Sequence, residues 1–492
     1  MIQSHQYYVW HVNLGIRMEH CVERIKPDNF EEQKHFYSKA LNSQVHEMMG
    51  HFMDLGHDRI VKRYTHLNPQ VDADFLMSIL TYQPKHFFWG GADLFYVVTE
   101  AGTRKMVVLE TNSCPSGQKS MPSRNDTNEY RGYSHLIKNS FLPLLKKRRL
   151  PKGALAVIYD KNYMEASGYA STIADSTGED VYLIPHFMNE KQYVSFHDGI
   201  MYLEQPEGEK IPIRAAFRYV TQKPWNRIPI KTQTLIYNST LVCLSGGRNK
   251  LVANKAYESF NATLVGSGLK INVPETIKDV SKSNIPAMIS KLGGKAVVKV
   301  PYLNAGQGVY TITSPEELAD FMAEDYPYDQ FIVQSLIGHY EWSSQGEHGR
   351  YFHIGTVPNK KGDIFIADLR MMVFSSTTGF MPCAIYARRA RTSLEATLST
   401  NSWQVLGTNL SMKLADNQWD SDTSRLMLMD KVDFNKLGIG IDDLIEAYIQ
   451  SVLTVVAIDK MAKMLVNQKG QFRMKLFKSL DNDESLVNEI LV

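Results

Sequence analysis

The segment between residues 90 and 112 constrains the fold most. Gly90-Gly91-Ala92-Asp93-Leu94-Phe95-Tyr96-Val97-Val98 and Lys105-Met106-Val107-Val108-Leu109-Glu110-Thr111-Asn112 are two apolar runs joined by a short polar turn, Glu100-Ala101-Gly102-Thr103. That pattern predicts a β-hairpin of two buried strands. Residues two apart on a strand point to the same face. Glu110 and Asn112 therefore present a carboxylate and an amide oxygen together, and Asp93 on the partner strand can join them. Three converging oxygens suit Mg2+, a hard cation that keeps its remaining positions for water and phosphate. The plainer reading is an exposed acidic hairpin end. Against it, Val107-Val108-Leu109 marks the strand as buried, where a carboxylate without a partner is costly.

Around this hairpin the chain reads as a series of α/β units. Residues 1–65 form an N-terminal segment with apolar residues at helical spacing (Val45, Met48, Met49, Phe52, Met53). Residues 66–150 carry the hairpin. Residues 151–240 read as a small α/β domain: strand Ala154–Tyr159, a helix around Met164–Asp175, strand Asp180–Ile184 and strand Ala215–Val220, an alternation that suggests a small parallel sheet. Residues 241–337 repeat the theme, with a helix opened by Arg248-Asn249-Lys250, strands Ala296–Val300, Val309–Thr313 and Phe331–Gln334, and a helix started by Ser314-Pro315 with Glu317. Residues 338–492 contain further strands, including Phe365–Arg370, and a helical tail from about Asp442.

Composition bounds the function. At 492 residues, 43% hydrophobic and 22% charged, the chain is globular and long enough for several domains. A net charge of +2 gives no general case for nucleic acid or an anionic membrane as partner. The four cysteines are dispersed, as expected for thiols in a reducing compartment. No apolar stretch approaches the roughly 18–20 residues that span a bilayer. The N-terminus lacks the pattern of a signal peptide, so the expected location is cytoplasmic.

Further residues carry candidate chemistry. Lys299 lies on a strand and precedes the loop Asn304-Ala305-Gly306-Gln307-Gly308. A lysine there can reach phosphate oxygens, and glycines let backbone N–H groups approach them, although such turns also serve as plain connections. Lys250, in a first helical turn, is by itself an ordinary solvated lysine. Arg388, Arg389 and Arg391, with Arg370 on a nearby strand, can bind phosphate or carboxylate, or can form a solvated strand end. His46-Glu47-Met48-Met49-Gly50-His51 misses the zinc spacing H-E-x-x-H, because histidines five apart turn away from each other on a helix. Cys114 has no evident activating base. The chain has no G-x-S-x-G, no G-x-x-x-x-G-K-[ST] and no kinase H-R-D.

Together these pieces resemble the ATP-grasp superfamily. Its metal strand reads Glu-x-Asn, often followed by Ser/Thr-Pro-Gly, and Leu109-Glu110-Thr111-Asn112-Ser113-Cys114-Pro115-Ser116-Gly117 is similar to it. In most members that strand comes last. Here it precedes Lys250 and Lys299, an order that resembles the circularly permuted branch of eukaryotic-type glutathione synthetase. Phe217-Arg218-Tyr219 with Pro224 resembles that branch's substrate-holding segment, with the middle Gly-Tyr replaced. Phe331–Ile337 resembles the strand that frames adenine, with Gln334 where Glu is usual. Arg391-Thr392 resembles its Arg-Thr-Lys, with Ser393 in place of the lysine. Leu303 stands where the glutathione enzymes carry an acidic metal ligand.

The resemblance implies an α/β (α+β) fold: a circularly permuted ATP-grasp with an inserted small Rossmann-like substrate domain and helical N- and C-terminal segments. It implies Mg2+ on Asp93, Glu110 and Asn112, and ATP on Lys250, Lys299, Asn304, Gly306, Gln307, Gly308, Gln334, Leu336 and Asp368. Arg218, Arg370 and Arg391 are then the expected catalytic arginines. The implied reaction joins a small-molecule carboxylate to an amine through an acyl phosphate, releasing ADP. A small-molecule kinase and a non-catalytic nucleotide-binding protein on the same scaffold are the alternatives. Members of that branch are often dimers, so a homodimer is the assembly to expect.

Overall fold

The computed structural model describes residues 20–122, 132–147, 149–205, 208–302, 308–347, 349–398, 401–413 and 419–491. These build a mixed α/β molecule on three main sheets. A short strand β1 (Glu23–Ile25) opens the described chain, followed by helices and then the hairpin of β2 (Trp89–Thr99) and β3 (Arg104–Ser113). The hairpin forms where the apolar pattern places it. Asp93 lies opposite Glu110, and a bulge follows between Asp93 and Leu94. Gly102 closes the turn in the left-handed conformation that glycine adopts without strain, at φ +78°.

The small α/β unit contains β4 (Ala154–Tyr159), β5 (Val181–Pro185), β6 (Val194–His197), β7 (Ile200–Glu204), β8 (Lys210–Tyr219) and β9 (Leu235–Tyr237). Its centre is the expected parallel arrangement, β5-β4-β8-β9, and the helix Tyr163–Thr177 makes the crossover from β4 to β5. The sheet is nonetheless mixed. β1 adds an antiparallel edge to β5, and the β6–β7 hairpin pairs with the first half of β8. The N-terminal segment, read from its sequence as helical, thus also contributes a strand to this sheet.

The second sheet orders as β10 (Thr276–Ser281), β13 (Gln330–Gln334), β11 (Ala296–Lys299) and β12 (Val309–Ile312), all antiparallel. Two helices cover its apolar face. One is Ile285–Lys291, and the other is Pro315–Ala323, where the Ser314 hydroxyl accepts the Glu317 N–H at 3.2 Å as the sequence predicts. The helix Lys250–Thr263 leads into this unit, capped by Asn249, which accepts the Val252 N–H at 2.9 Å.

The third sheet is antiparallel and sets β14 (Tyr351–His353), β2, β15 (Ala367–Ser376) and β16 (Gly379–Arg389) in that order, with β3 also on β2. The long C-terminal helix Ile441–Met464 packs on β2, β3 and β15. The approach is close: a Cβ on Gly90 would lie 2.9 Å from Val455 Cγ2 and 2.6 Å from Phe87 Cζ. Buried Asp459 of this helix accepts the His86 and Phe87 N–H groups at 2.7 and 3.0 Å and so fixes the entry to β2. Among the described residues no helix is long and apolar enough to cross a membrane, and none of the four cysteines is in a disulfide.

Candidate functional site

A cavity of about 850 Å³ opens where the three sheets meet. β2 and β3 contribute Asp93, Glu110 and Asn112. β15 and β16 contribute Asp368, Arg370 and Arg388. The second sheet supplies Lys299 and Gln334, and the capped helix start supplies Lys250. The carboxyl ends of β4 and β8 close the far side with Tyr159–Tyr163, Thr221 and Gln222. Six basic side chains face four carboxylates on this wall, an excess of positive charge that suits an anionic ligand.

Strand alternation sets the centre. Glu110 and Asn112 share a face, and the Asn112 amide donates to Glu110 Oε1 at 3.2 Å. Lys250 Nζ stands 3.6 Å from Glu110 Oε2, and Lys299 Nζ donates to the Leu109 carbonyl at 3.5 Å. Burial pushes the Glu110 carboxyl up, but Lys250, Lys299 and Arg370 outweigh it, and the group is held below its ordinary value. Burial and the neighbouring Lys250 bring Lys299 down to about 8.

Asp93 has partners other than those the sequence suggested. Arg370 grips it bidentately, with Nε at 2.5 Å and Nη2 at 2.6 Å, and Arg388 Nη2 approaches at 2.9 Å. Arg388 also holds Asp368, with Nε at 3.0 Å. Two carboxylates and two guanidiniums thus form one buried network, and both Asp93 oxygens are engaged within it. Glu110 and Asn112 present side-chain oxygens to the cavity that no guanidinium engages. Such a set fits Mg2+, which takes one or two carboxylate ligands and leaves its remaining positions to phosphates and water. Among the described residues no three of His, Cys, Asp and Glu gather to hold a metal by themselves.

Of the expected nucleotide residues, Lys250, Lys299, Gln334, Leu336 and Asp368 line the cavity. Gln334 donates to Thr276 Oγ1 at 2.8 Å, and Leu336 forms apolar wall with Val297, Trp403 and Leu406. Burial raises the Asp368 carboxyl, with Arg388 acting against it. Gly308 takes φ +63°, and its carbonyl accepts the Val300 N–H at 2.7 Å. Asn304, Gly306 and Gln307, with Leu303, lie outside the described residues.

Two of the expected catalytic arginines are not on the wall. Arg218 is fully buried, and its guanidinium donates to the carbonyls of Asn238 and Val220 and to Cys243 Sγ. It braces the small unit and does not face the cavity. Arg391 lies just past β16, exposed and away from the lining. The basic cluster divides by alternation: Arg388 turns inward to Asp93 and Asp368, while Arg389 lies over the Phe365 ring at 4.6 Å. Cys114 is buried and donates to the Arg218 carbonyl at 3.0 Å, and burial pushes its thiol up. His46 caps the helix Glu47–Met53 by accepting the Met48 N–H.

Four wall or support residues escaped the sequence reading. Lys161 Nζ donates to the Cys114 carbonyl at 2.9 Å and lies 4.7 Å over the Tyr219 ring. Burial, and then Arg248, lower its ammonium to about 7. Arg248 Nη2 donates to the Ser113 carbonyl at 2.9 Å. Asp160 accepts the Thr221 and Gln222 N–H groups at 2.8 and 2.6 Å. Glu165 accepts from the Ser116 and Tyr219 hydroxyls and from the Gly117 N–H at 2.6 Å, pinning the loop after β3. The signal for Asp160 and Lys161 was available, because ligands bind outside the carboxyl ends of parallel strands and both directly follow β4.

No family model matches the chain, and no curated protein matches it. Solved structures of ATP-grasp proteins do resemble it. A RimK-domain ATP-grasp protein from Sphaerobacter thermophilus matches over 47% of this chain and 90% of its own, at 13% identity and a TM-score of 0.29. A glutathione synthetase-like effector from Globodera pallida matches over 68% of this chain and 81% of its own, at 9% identity and a TM-score of 0.37. Carboxyaminoimidazole ribonucleotide synthase from Aspergillus clavatus, solved with ATP, matches over 47% and 69%, at 9% identity and a TM-score of 0.27.

Proposed function

We propose that the chain is an ADP-forming, ATP-dependent carboxylate–amine ligase acting on amino-acid or small peptide-like substrates. One observation carries this reading: Lys250, Lys299, Glu110 and Asn112, far apart in the sequence, line a single cavity. Lys250 and Lys299 take the ATP phosphates as point charges, and the wall of Gln334 and Leu336 receives the base. Glu110 and Asn112 would hold Mg2+, which supplies charge neutralisation at the phosphates. A substrate carboxylate oxygen attacks the γ-phosphorus, and the bond to the β-bridging oxygen breaks, giving an acyl phosphate and ADP. The amine then attacks the acyl carbon, phosphate leaves, and an amide remains. Arg370, held by Asp93 and near Glu110, adds a fixed positive charge where negative charge accumulates.

The test is release of ADP and phosphate from Mg-ATP with pooled amino acids and small carboxylates, in wild type and in Glu110→Ala. Release should need an acid and an amine together and should fall about 100-fold or more in the variant. ADP without free phosphate would indicate transfer to a stable phosphorylated product, as in a kinase. Undiminished turnover in Glu110→Ala would overturn the reading.

A further inference from the structure

Lys161 and Arg248 both line the cavity and converge on the loop that follows β3. Both donate to the Cys114 carbonyl, at 2.9 and 3.4 Å, and Arg248 also donates to Ser113. Among the described residues no carboxylate is in ion-pair contact with Lys161. Its nearest acids are engaged elsewhere, Asp160 by the Thr221 and Gln222 N–H groups and Glu165 by Ser116, Tyr219 and Gly117. A second positive charge beside a largely desolvated ammonium is unfavourable, and a bound anion relieves it.

We propose that Lys161 and Arg248 form the binding site for the carboxylate of the substrate that is not the nucleotide. Three observations point to a carboxylic acid. Lys161 is the second residue after β4 of the small unit, at the carboxyl end of a parallel strand, whereas Lys299 belongs to the second sheet. The adjoining wall is aromatic, with Tyr159, Tyr163 and Phe187, and accommodates an acid with an apolar body. Of the arginines expected to hold substrate, Arg218 is directed to the Asn238 and Val220 carbonyls and Arg391 is not among the lining residues. The proposal deepens the ligase reading by naming its acid site, but carboxylate binding needs no turnover and is measured without it.

The experiment is acylation of Lys161 in the full chain at neutral pH, read by peptide mass spectrometry, without nucleotide. The probes are 3-phenylpropionate, phenylalanine, N-acetylphenylalanine and glutarate, each against its amide. An acid at some ten times its Kd should slow labelling about tenfold, and its amide should not. Protection should vanish in Arg248→Met and return in Arg248→Lys, which rules out a folding defect as the cause. The proposal fails if none of the acids protects, if an amide protects equally, or if a non-hydrolysable ATP analogue alone protects as well as the acids, which would make this a phosphate site. Calorimetric titration of the same sample with Mg-ADP separates the two readings: acid protection without nucleotide binding would sink the ligase and leave this site standing.

Discussion

Replacing Asp93 by Asn tests the buried charge network most directly. Asp93 is 3% exposed, and the side chains of Arg370 and Arg388 are 11% and 10% exposed. Removing one partner of a buried pair costs roughly 3–5 kcal/mol, because the other charge is left uncompensated. Arg388 retains Asp368 in the variant, so Arg370 is the charge left stranded. The expected loss is therefore near the lower end, about 3 kcal/mol. Arg370→Met should cost a similar amount. The double variant should cost about 2 kcal/mol less than the sum, since it removes both charges together. Urea unfolding followed by tryptophan fluorescence is the assay, with buried Trp89 at the start of β2 as one reporter. The pH dependence has a definite sign. Burial raises the Asp93 carboxyl, but Arg370 and Arg388 outweigh it and hold it well below the carboxylate range. A depressed carboxyl contributes stability above its unfolded pKa, about 3.9, and loses it as pH falls. The difference between wild type and Asp93→Asn should therefore be flat from neutral pH down to about 5 and shrink below about 4. A loss under about 1 kcal/mol, or full additivity in the double variant, would refute the network.

Two further predictions concern groups away from the nucleotide wall. Burial, with Asp443 adding, raises the Glu446 carboxyl on the long helix to about 7. Its contribution is present below the unfolded pKa and is lost as pH rises through about 7, so Glu446→Gln should raise the urea midpoint at pH 8 and leave it unchanged at pH 4; an equal effect at both would contradict the assignment. Arg218→Met should lower stability by about 2 kcal/mol or more, by leaving the Asn238 and Val220 carbonyls without their donor. Its Mg-ADP dissociation constant, measured by calorimetry, should stay within about threefold of wild type, and a larger change would return Arg218 to the binding machinery.

The elements with long, clean periodicity were legible. The β2–β3 hairpin, β4, the helix Tyr163–Thr177 and the capped start at Ser314 lie where their patterns put them. β1 and the β6–β7 hairpin were not. They span three to five residues each, too few for a period to emerge, and they are strands because a partner edge of β5 or β8 is available. β10 breaks its own alternation with a bulge between Ile277 and Val280, which erases the signal that period-two reading depends on.

The site divides on the same physics. Glu110 and Asn112 could be assigned to one face because they are two apart on a strand whose flanks fix its register. The arginines could not, because a motif resemblance supplies residue type without direction. Arg388 and Arg389 are neighbours with opposite fates, one in the charge network and one over Phe365. Arg218 sits between Phe217 and Tyr219 on β8, and its guanidinium runs to Cys243 while the Tyr219 hydroxyl reaches Glu165. Other cations line the cavity, among them Arg370, already singled out by the sequence, with Arg388, Lys161 and Arg248. Of these, Arg248 is recognisable only once the Ser113 and Cys114 carbonyls it meets are in place. Asp93 shows the same limit, since the guanidiniums that engage both its oxygens come from β15 and β16, far along the chain from its own hairpin.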